Sequence, residues 1–257
     1  MTSYDEYTTL SVNIESKVAL VTFLRSEQLN AINKLMQHEI TSVFRQLDLD
    51  ETVNVIVVTG AGRGFMAGAD IKEYAKQTQE EFLAFQTNGR YMYQAIEQNK
   101  KPVIAAVNGF ALGGGMELVL SCDVVLTNQY AKFGLPEVKL DLIPGGGGTQ
   151  RSVLKLGSQR ALWMMLTGEI INAETAMEWG ISSQILPTET FLEDAMTVAR
   201  TIASANPAAT RGMKMLAHSA LHGDIQTGLS IEADLVTQLY QSDSAQARIQ
   251  AFANKNK

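Results

Sequence analysis

The chain has 257 residues, 46% hydrophobic and 19% charged, with a formal net charge of −6 at pH 7. That composition describes a globular protein long enough for one large domain with a sizeable core, and its acidity argues against nucleic acid as a partner. A single cysteine, Cys122, excludes a disulfide framework; lying inside an apolar run, it is expected to be a small buried hydrophobe.

The opening MTSYDEYTTL has no basic segment followed by an apolar run, and no apolar stretch reaches membrane-spanning length. The expectation is a cytoplasmic protein with no membrane partner. TTLSVNI (8–14) and VALVTFL (18–24) read as a hairpin joined by ESK. Residues 34–48 carry Met36, Ile40, Val43, Phe44 and Leu47 at helical spacing. VNVIVVTG (53–60), PVIAAVNG (102–109) and DVVLT (123–127) are short β-branched runs of the kind buried in parallel sheets. Strand–helix alternation predicts an α/β core.

From about residue 150 the signals are helical. SQRALWMMLTG ends at Gly168 and NAETAMEWG runs from Asn172 to Gly180. TETFLEDAMTVARTIASAN opens with Thr190 and Glu193 at capping-box spacing. DIQTGLSIEADLVTQLY aligns Ile225, Leu229, Val236 and Leu239 on one face, which calls for a partner surface.

Three glycine-bearing stretches are candidates for chemistry. In NGFALGGGMELVLSCD (108–123), Gly113–Gly115 lead into a helix with Glu117 just inside it. Free N–H groups at a helix start, approachable over glycine, make an anion site; a tight strand-to-helix turn explains the same residues. In GRGFMAGADIKEY (62–74), Asp70 reads as a helix cap, and the Ala69 N–H lies on a second such turn. Two convergent N–H groups would form an oxyanion hole. In FGLPEVKLDLIPGGGGTQR (133–151), Glu137 follows Pro136 between Phe133, Leu135, Val138 and Leu140. Such an acid is usually solvated; if partly buried, its pKa rises and it can act as an acid near neutral pH. His38, His218 and His222 share no ligand spacing, so no metal site is expected. There is no G-x-S-x-G elbow, and the glycine runs match neither the P-loop nor the dinucleotide fingerprint.

With these stretches in view, the chain resembles the crotonase family, the enoyl-CoA hydratase/isomerase superfamily. The resemblance rests on AGADIKEY (67–74), KPVIAAVNGFALGGGMELVLSCD (101–123), AKFGLPEVKLDLIPGGGGTQR (131–151) and LTGEIINAETAMEWGI (166–181), with AFANK (251–255) a weaker match. It implies a spiral core of repeated β-β-α units over residues 1–200 and a C-terminal helical region, 201–257, that builds homotrimers, usually paired into hexamers.

The resemblance also implies an acyl-CoA substrate whose thioester carbonyl sits between the N–H groups of Ala69 and Gly114. Glu117 and Glu137 correspond to the paired hydratase acids, and Gly145 to the glycine that positions the catalytic water. Ala67, Lys72, Phe252 and Lys255 correspond to residues that contact CoA. No separate cofactor is implied. Three features depart from the family pattern: Ser26 and Glu27 replace a proline-containing turn, Asp141 stands where glycine is common, and the tail ARIQAFANKNK lacks the usual acidic-glycine start. The expected reaction is reversible hydration of a 2-trans-enoyl-CoA to a 3-hydroxyacyl-CoA. A Δ3,Δ2-enoyl-CoA isomerase and a catalytically weak acyl-CoA-binding protein are the alternatives.

Overall fold

The structure is a computed structural model that describes residues 4, 6–221 and 223–255. His222 lies outside the described residues. Strands β1 (Leu10–Glu15) and β2 (Val18–Phe23) form the expected antiparallel hairpin, turned through Ser16 and Lys17. Helix α1 (Lys34–Leu49) follows, capped by the Asn33 side chain on the Met36 N–H. Its C-terminal end is held by buried Lys101, whose ammonium donates to the carbonyls of Leu47 and Asp50.

A repeating unit begins at β3 (Val55–Gly60). Strand β4 (Gly64–Met66) leads to helices α2 (Ile71–Tyr74) and α3 (Gln79–Glu97). Strands β5 (Val103–Val107) and β6 (Phe110–Leu112) lead to α4 (Gly114–Ser121). Strands β7 (Val124–Asn128) and β8 (Lys132–Gly134) lead, through a 3₁₀ turn at Pro136–Leu140, to α5 (Gly148–Leu156) and α6 (Ser158–Thr167). The first strand of each unit joins one sheet and the second joins another. β3, β5 and β7 are parallel neighbours in a six-stranded sheet; β4, β6 and β8 are parallel neighbours in a four-stranded one. The backbone therefore advances as a β-β-α spiral. Strand β9 (Ile171–Asn172), helix α7 (Ala173–Glu178) and strand β10 (Gln184–Leu186) complete the two sheets.

The apolar run of β3 is buried throughout because its two faces serve two cores. Ile56 and Val58 pack with α1 residues such as Ile40 and Phe44, while Val55 and Val57 pack with Phe191, Ala195 and Ala199 of α8 (Phe191–Ala203). Side chains alternate faces along a strand, so a sheet covered on both sides reads as an unbroken hydrophobic stretch.

The capping box expected at Thr190 and Glu193 does not form. Thr190 is not extended as an N-cap residue requires; its hydroxyl donates to Asp194 at 2.5 Å, and Glu193 pairs with Arg200. Thr78 and Glu81 make a capping box instead, at the start of α3. Helix α9 (Pro207–Ala220) docks on the spiral through Asp123, which takes Lys214 at 2.7 Å and His218 at 2.9 Å. Helices α10 (Ile225–Tyr240) and α11 (Asp243–Lys255) follow. No described residue of α10 is buried, and its apolar Ile225, Leu229 and Val236 are exposed.

Candidate active site

The two glycine-led turns expected from sequence meet at one cavity of about 210 Å³. The first leaves β4 through Gly68, whose φ of +99° suits glycine. Ala69 then pairs with Ile32 in a parallel bridge: Ile32 N–H donates to the Gly68 carbonyl at 2.7 Å, and Asp70 N–H donates to the Ile32 carbonyl at 2.8 Å. Backbone groups alternate edges in extended chain, so the Ala69 N–H points away from Ile32. Asp70 caps α2 as expected. It also pairs with Arg25 at 2.8 Å, and this cation holds its carboxyl below the usual range.

The second turn leaves β6 through Gly113, at φ +52°, so that Gly114 is the first residue of α4. An N–H in the first turn of a helix has no intrahelical acceptor. The turns are tightly apposed: a methyl group on Gly68 would stand 3.9 Å from Gly114 N, and one on Gly113 would stand 3.7 Å from Gly68 Cα. Ala67, Ala69, Gly114, Glu117, Glu137 and Gly145 all line the cavity.

Glu117 faces the cavity from the first turn of α4 and is only 4% exposed. Its Oε1 accepts the N–H groups of Gly146 at 2.7 Å and Gly148 at 2.8 Å. Burial raises its pKa, opposed by those two N–H groups and by Arg151. This contact explains Gly146 and Gly148, for which the sequence offered no specific reason. A Cβ on Gly146 would come within 2.0 Å of the Tyr93 ring and 2.7 Å of Glu117 Oε2; one on Gly148 would come within 3.0 Å of Glu117 Oε1. The backbone can approach the carboxylate only where side chains are absent.

Glu137 sits on the 3₁₀ turn Pro136–Leu140 and is half-buried, with Oε2 sequestered and without a partner. Burial pushes its pKa up to about 7, and the nearby charge of Glu117 adds to the rise. A methyl on Gly113 would lie 3.1 Å from Glu137 Oε1, so this acid stands against the glycine turn that leads into α4. The two acids thus share one cavity with unequal surroundings: Glu117 is held by backbone donors, and Glu137 is poised to carry a proton near neutrality.

Several supporting residues gave no signal in the sequence. Tyr93 donates its hydroxyl to the Gly114 carbonyl at 3.0 Å. Arg151 binds Glu97 through two bonds and donates to the Gly146 carbonyl at 2.7 Å, bracing the loop that holds Glu117. Lys72 is exposed beside Ile71 of the cavity rim but does not line the cavity. Phe252 is 72% exposed on α11, also away from the lining residues. The side chain of Lys255 lies outside the described residues. Cys122 is buried, its thiol pushed up to about 12 by burial, so it is not an activated nucleophile. Among the described residues no group of three or more His, Cys, Asp and Glu is placed to hold a metal ion, and no helix is long and apolar enough to cross a membrane.

Residues 13–257 match the enoyl-CoA hydratase/isomerase family. The chain belongs to that family. The short-chain-enoyl-CoA hydratase of Clostridium acetobutylicum is 35% identical over 244 residues, 95% of this chain and 94% of the relative. The 2,3-dehydroadipyl-CoA hydratase of Escherichia coli is 36% identical over 248 residues, 96% of each chain. The crystal structure of an enoyl-CoA hydratase from Bacillus anthracis matches with a TM-score of 0.93 at 34% identity, covering 96% of this chain and 97% of that one. The β-β-α spiral is thus the fold of the enoyl-CoA hydratase/isomerase family, with its C-terminal helices in the same chain.

Proposed function

We propose that the protein hydrates a 2-trans-enoyl-CoA to a 3-hydroxyacyl-CoA and catalyses the reverse dehydration. The observation that carries this reading is the meeting of two acids and two strand-to-helix turns, at Ala69 and Gly114, at one cavity. In the forward direction water adds at C3 and a proton adds at C2. Glu117 takes a proton from the attacking water. Negative charge moves to the thioester oxygen, to which the Ala69 and Gly114 N–H groups donate hydrogen bonds, an effect worth about 2.7–4 kcal/mol per donor. Glu137, protonated near neutral pH, delivers the proton to C2. In dehydration the two acids exchange roles. The chemistry calls for no cofactor beyond the CoA carried by the substrate.

Gly145 borders the same cavity and helps position the attacking water; a Cβ there would strike Gln86 Oε1 at 2.6 Å. Ala67 at the cavity, Lys72 at its rim, and Phe252 and Lys255 from a neighbouring subunit contact the CoA moiety. Residues 201–257 serve assembly into a trimer or paired trimers in the cytoplasm; the exposed apolar face of α10 supports this. An isomerase moves one proton between C2 and C4 and needs one acid, whereas two acids line this cavity and backbone donors hold the second, Glu117, in place. The test is loss of the conjugated-thioester absorbance when the protein meets a panel of enoyl-CoAs. No loss with any member would overturn the assignment.

A further inference from the structure

Two polar side chains of the cavity wall have no part in the hydration chemistry. Tyr74 ends α2 and Gln86 lies on α3; both are half-buried and both line the cavity. Gln86 Nε2 donates to the Tyr74 hydroxyl oxygen at 2.9 Å. Among the described residues nothing accepts the Tyr74 proton in return, and nothing donates to Gln86 Oε1. That oxygen is not one of the side-chain atoms sealed in the interior without a partner, so it keeps accessible surface. The pair therefore has one donor and one acceptor to offer a ligand.

The packing aims both heads at the cavity. The Tyr74 ring is backed by Phe82 and Phe85 of α3, edge to face, with centroids 5.2 and 5.5 Å away. With α3 behind it, the phenol looks toward the two acids on the other walls. Burial raises its pKa, and the charges of Glu117 and Glu137 add to the rise. The Gln86 amide meets the glycine loop of the facing wall: a Cβ on Gly145 would stand 2.6 Å from its Oε1 and 3.0 Å from its Nε2. The next residue is Gly146, where a Cβ would meet Glu117 Oε2 at 2.7 Å. Successive Cα atoms are about 3.8 Å apart, so the pair stands within reach of an acyl chain a few carbons beyond C3. The described lining residues include no Lys, Arg or His.

We propose that Tyr74 and Gln86 are the specificity element of the cavity, selecting an acyl group that carries an uncharged oxygen, a hydroxyl or a ketone, a few carbons beyond C3. The Tyr74 hydroxyl donates to that oxygen, and Gln86 Oε1 accepts from it when it is a hydroxyl. A hydrocarbon chain strips water from both heads and returns no hydrogen bond. A carboxylate enters the field of Glu117 and Glu137 with no cation in the wall to offset it. This inference rests on the acyl-CoA reading above, naming the substrate class for the same site.

The test measures binding of saturated acyl-CoAs by calorimetry, so it is separable from turnover. A ladder of chain lengths is compared, each ending in a methyl, hydroxyl, methyl ketone or carboxylate. At the length that reaches the pair, the hydroxyl and ketone ligands should bind about three- to tenfold tighter than the methyl ligand, with the carboxylate weakest. Tyr74→Phe keeps the ring on Phe82 and Phe85 and removes only the hydroxyl. It should erase the preference for the oxygenated ligands and leave the methyl ligands as they were; a merely structural role would weaken all of them alike. A methyl or carboxylate preference at every length, a preference that survives Tyr74→Phe, or a loss shared equally by the methyl ligands would each overturn the proposal. Failure to bind any acyl-CoA would overturn it together with the function proposed above. The expected preference without hydration of any enoyl-CoA would overturn that function alone.

Discussion

The guanidinium of Arg151 and the carboxylate of Glu97 meet side by side, Nε to Oε1 at 2.9 Å and Nη2 to Oε2 at 2.7 Å, joining the start of α5 to the end of α3. The third nitrogen of the same guanidinium donates to the Gly146 carbonyl at 2.7 Å, and the Gly146 N–H in turn donates to Glu117. Burial alone would raise the Glu97 pKa; Arg151 reverses that and holds it below the usual range. The pair thus ties one cavity acid to the C-terminal end of α3.

Arg151→Met should release the Gly146 carbonyl and remove a positive charge that opposes protonation of Glu117. The base must be ionised to act, so the acidic limb of the pH–rate profile should move to higher pH. Stability should fall by about 1–3 kcal/mol, since Glu97 is left half-buried and unpaired. Adding Glu97→Leu should recover stability in urea titrations without restoring the pH profile. An unchanged acidic limb in Arg151→Met would show that the pair acts on the fold alone.

Glu117→Gln and Glu137→Gln should each lower hydration by ~10²–10⁴-fold, the range for a lost general acid or base. Binding of a saturated acyl-CoA should change little, because the N–H groups of Ala69 and Gly114 remain. Turnover is followed by thioester absorbance and binding by calorimetry. Near-normal turnover in either variant would remove that residue from the mechanism.

The raised pKa of Glu137 gives two pH dependences. As the acid in hydration it must be protonated, so the forward rate should decline as pH rises through about 7. For stability, a carboxyl whose pKa rises on folding binds more protons folded than unfolded. Stability is therefore lost as pH climbs from the ordinary glutamate value of 4.5 through about 7. Glu137→Gln cannot ionise, so it should be more stable than the wild type at about pH 8, by on the order of 2–3 kcal/mol at most, with little difference near pH 4. Urea unfolding at the two pH values checks both the sign and the window.

The exposed Ile225, Leu229 and Val236 of α10 lead to an expected native mass that is a multiple of three chains. Replacing Leu229 and Val236 together with Glu should shift sedimentation toward the monomer, because a charge on an apolar contact face loses its solvation on assembly. A wild-type monomer at micromolar concentration would contradict the assembly.

Much of the local structure was legible in the chain. The β-branched runs at 55–60 and 103–107 became the buried strands β3 and β5, and Gly113 adopts the positive φ that a sharp strand-to-helix turn demands. In the four-stranded sheet β4, β6 and β8 are three residues each and β9 is two, too brief for a periodicity to register. The Thr190 capping box failed because spacing cannot reveal that Glu193 engages Arg200.

What the sequence by itself determined was which backbone could turn sharply and where acids stood next to such turns, because those depend on residues within one helical turn or strand. Only the tertiary structure decided that the turns at Ala69 and Gly114 meet, that Gly146 and Gly148 grip Glu117, and that Tyr74 and Gln86 join at the same cavity. These relations join segments 29 to 31 residues apart in the case of Glu117 and its two glycines, and 12 apart for Tyr74 and Gln86. The proton affinity of Glu137 belongs to the same class: a carboxyl group is identical in any sequence, and its pKa is set by what surrounds it once the chain has folded.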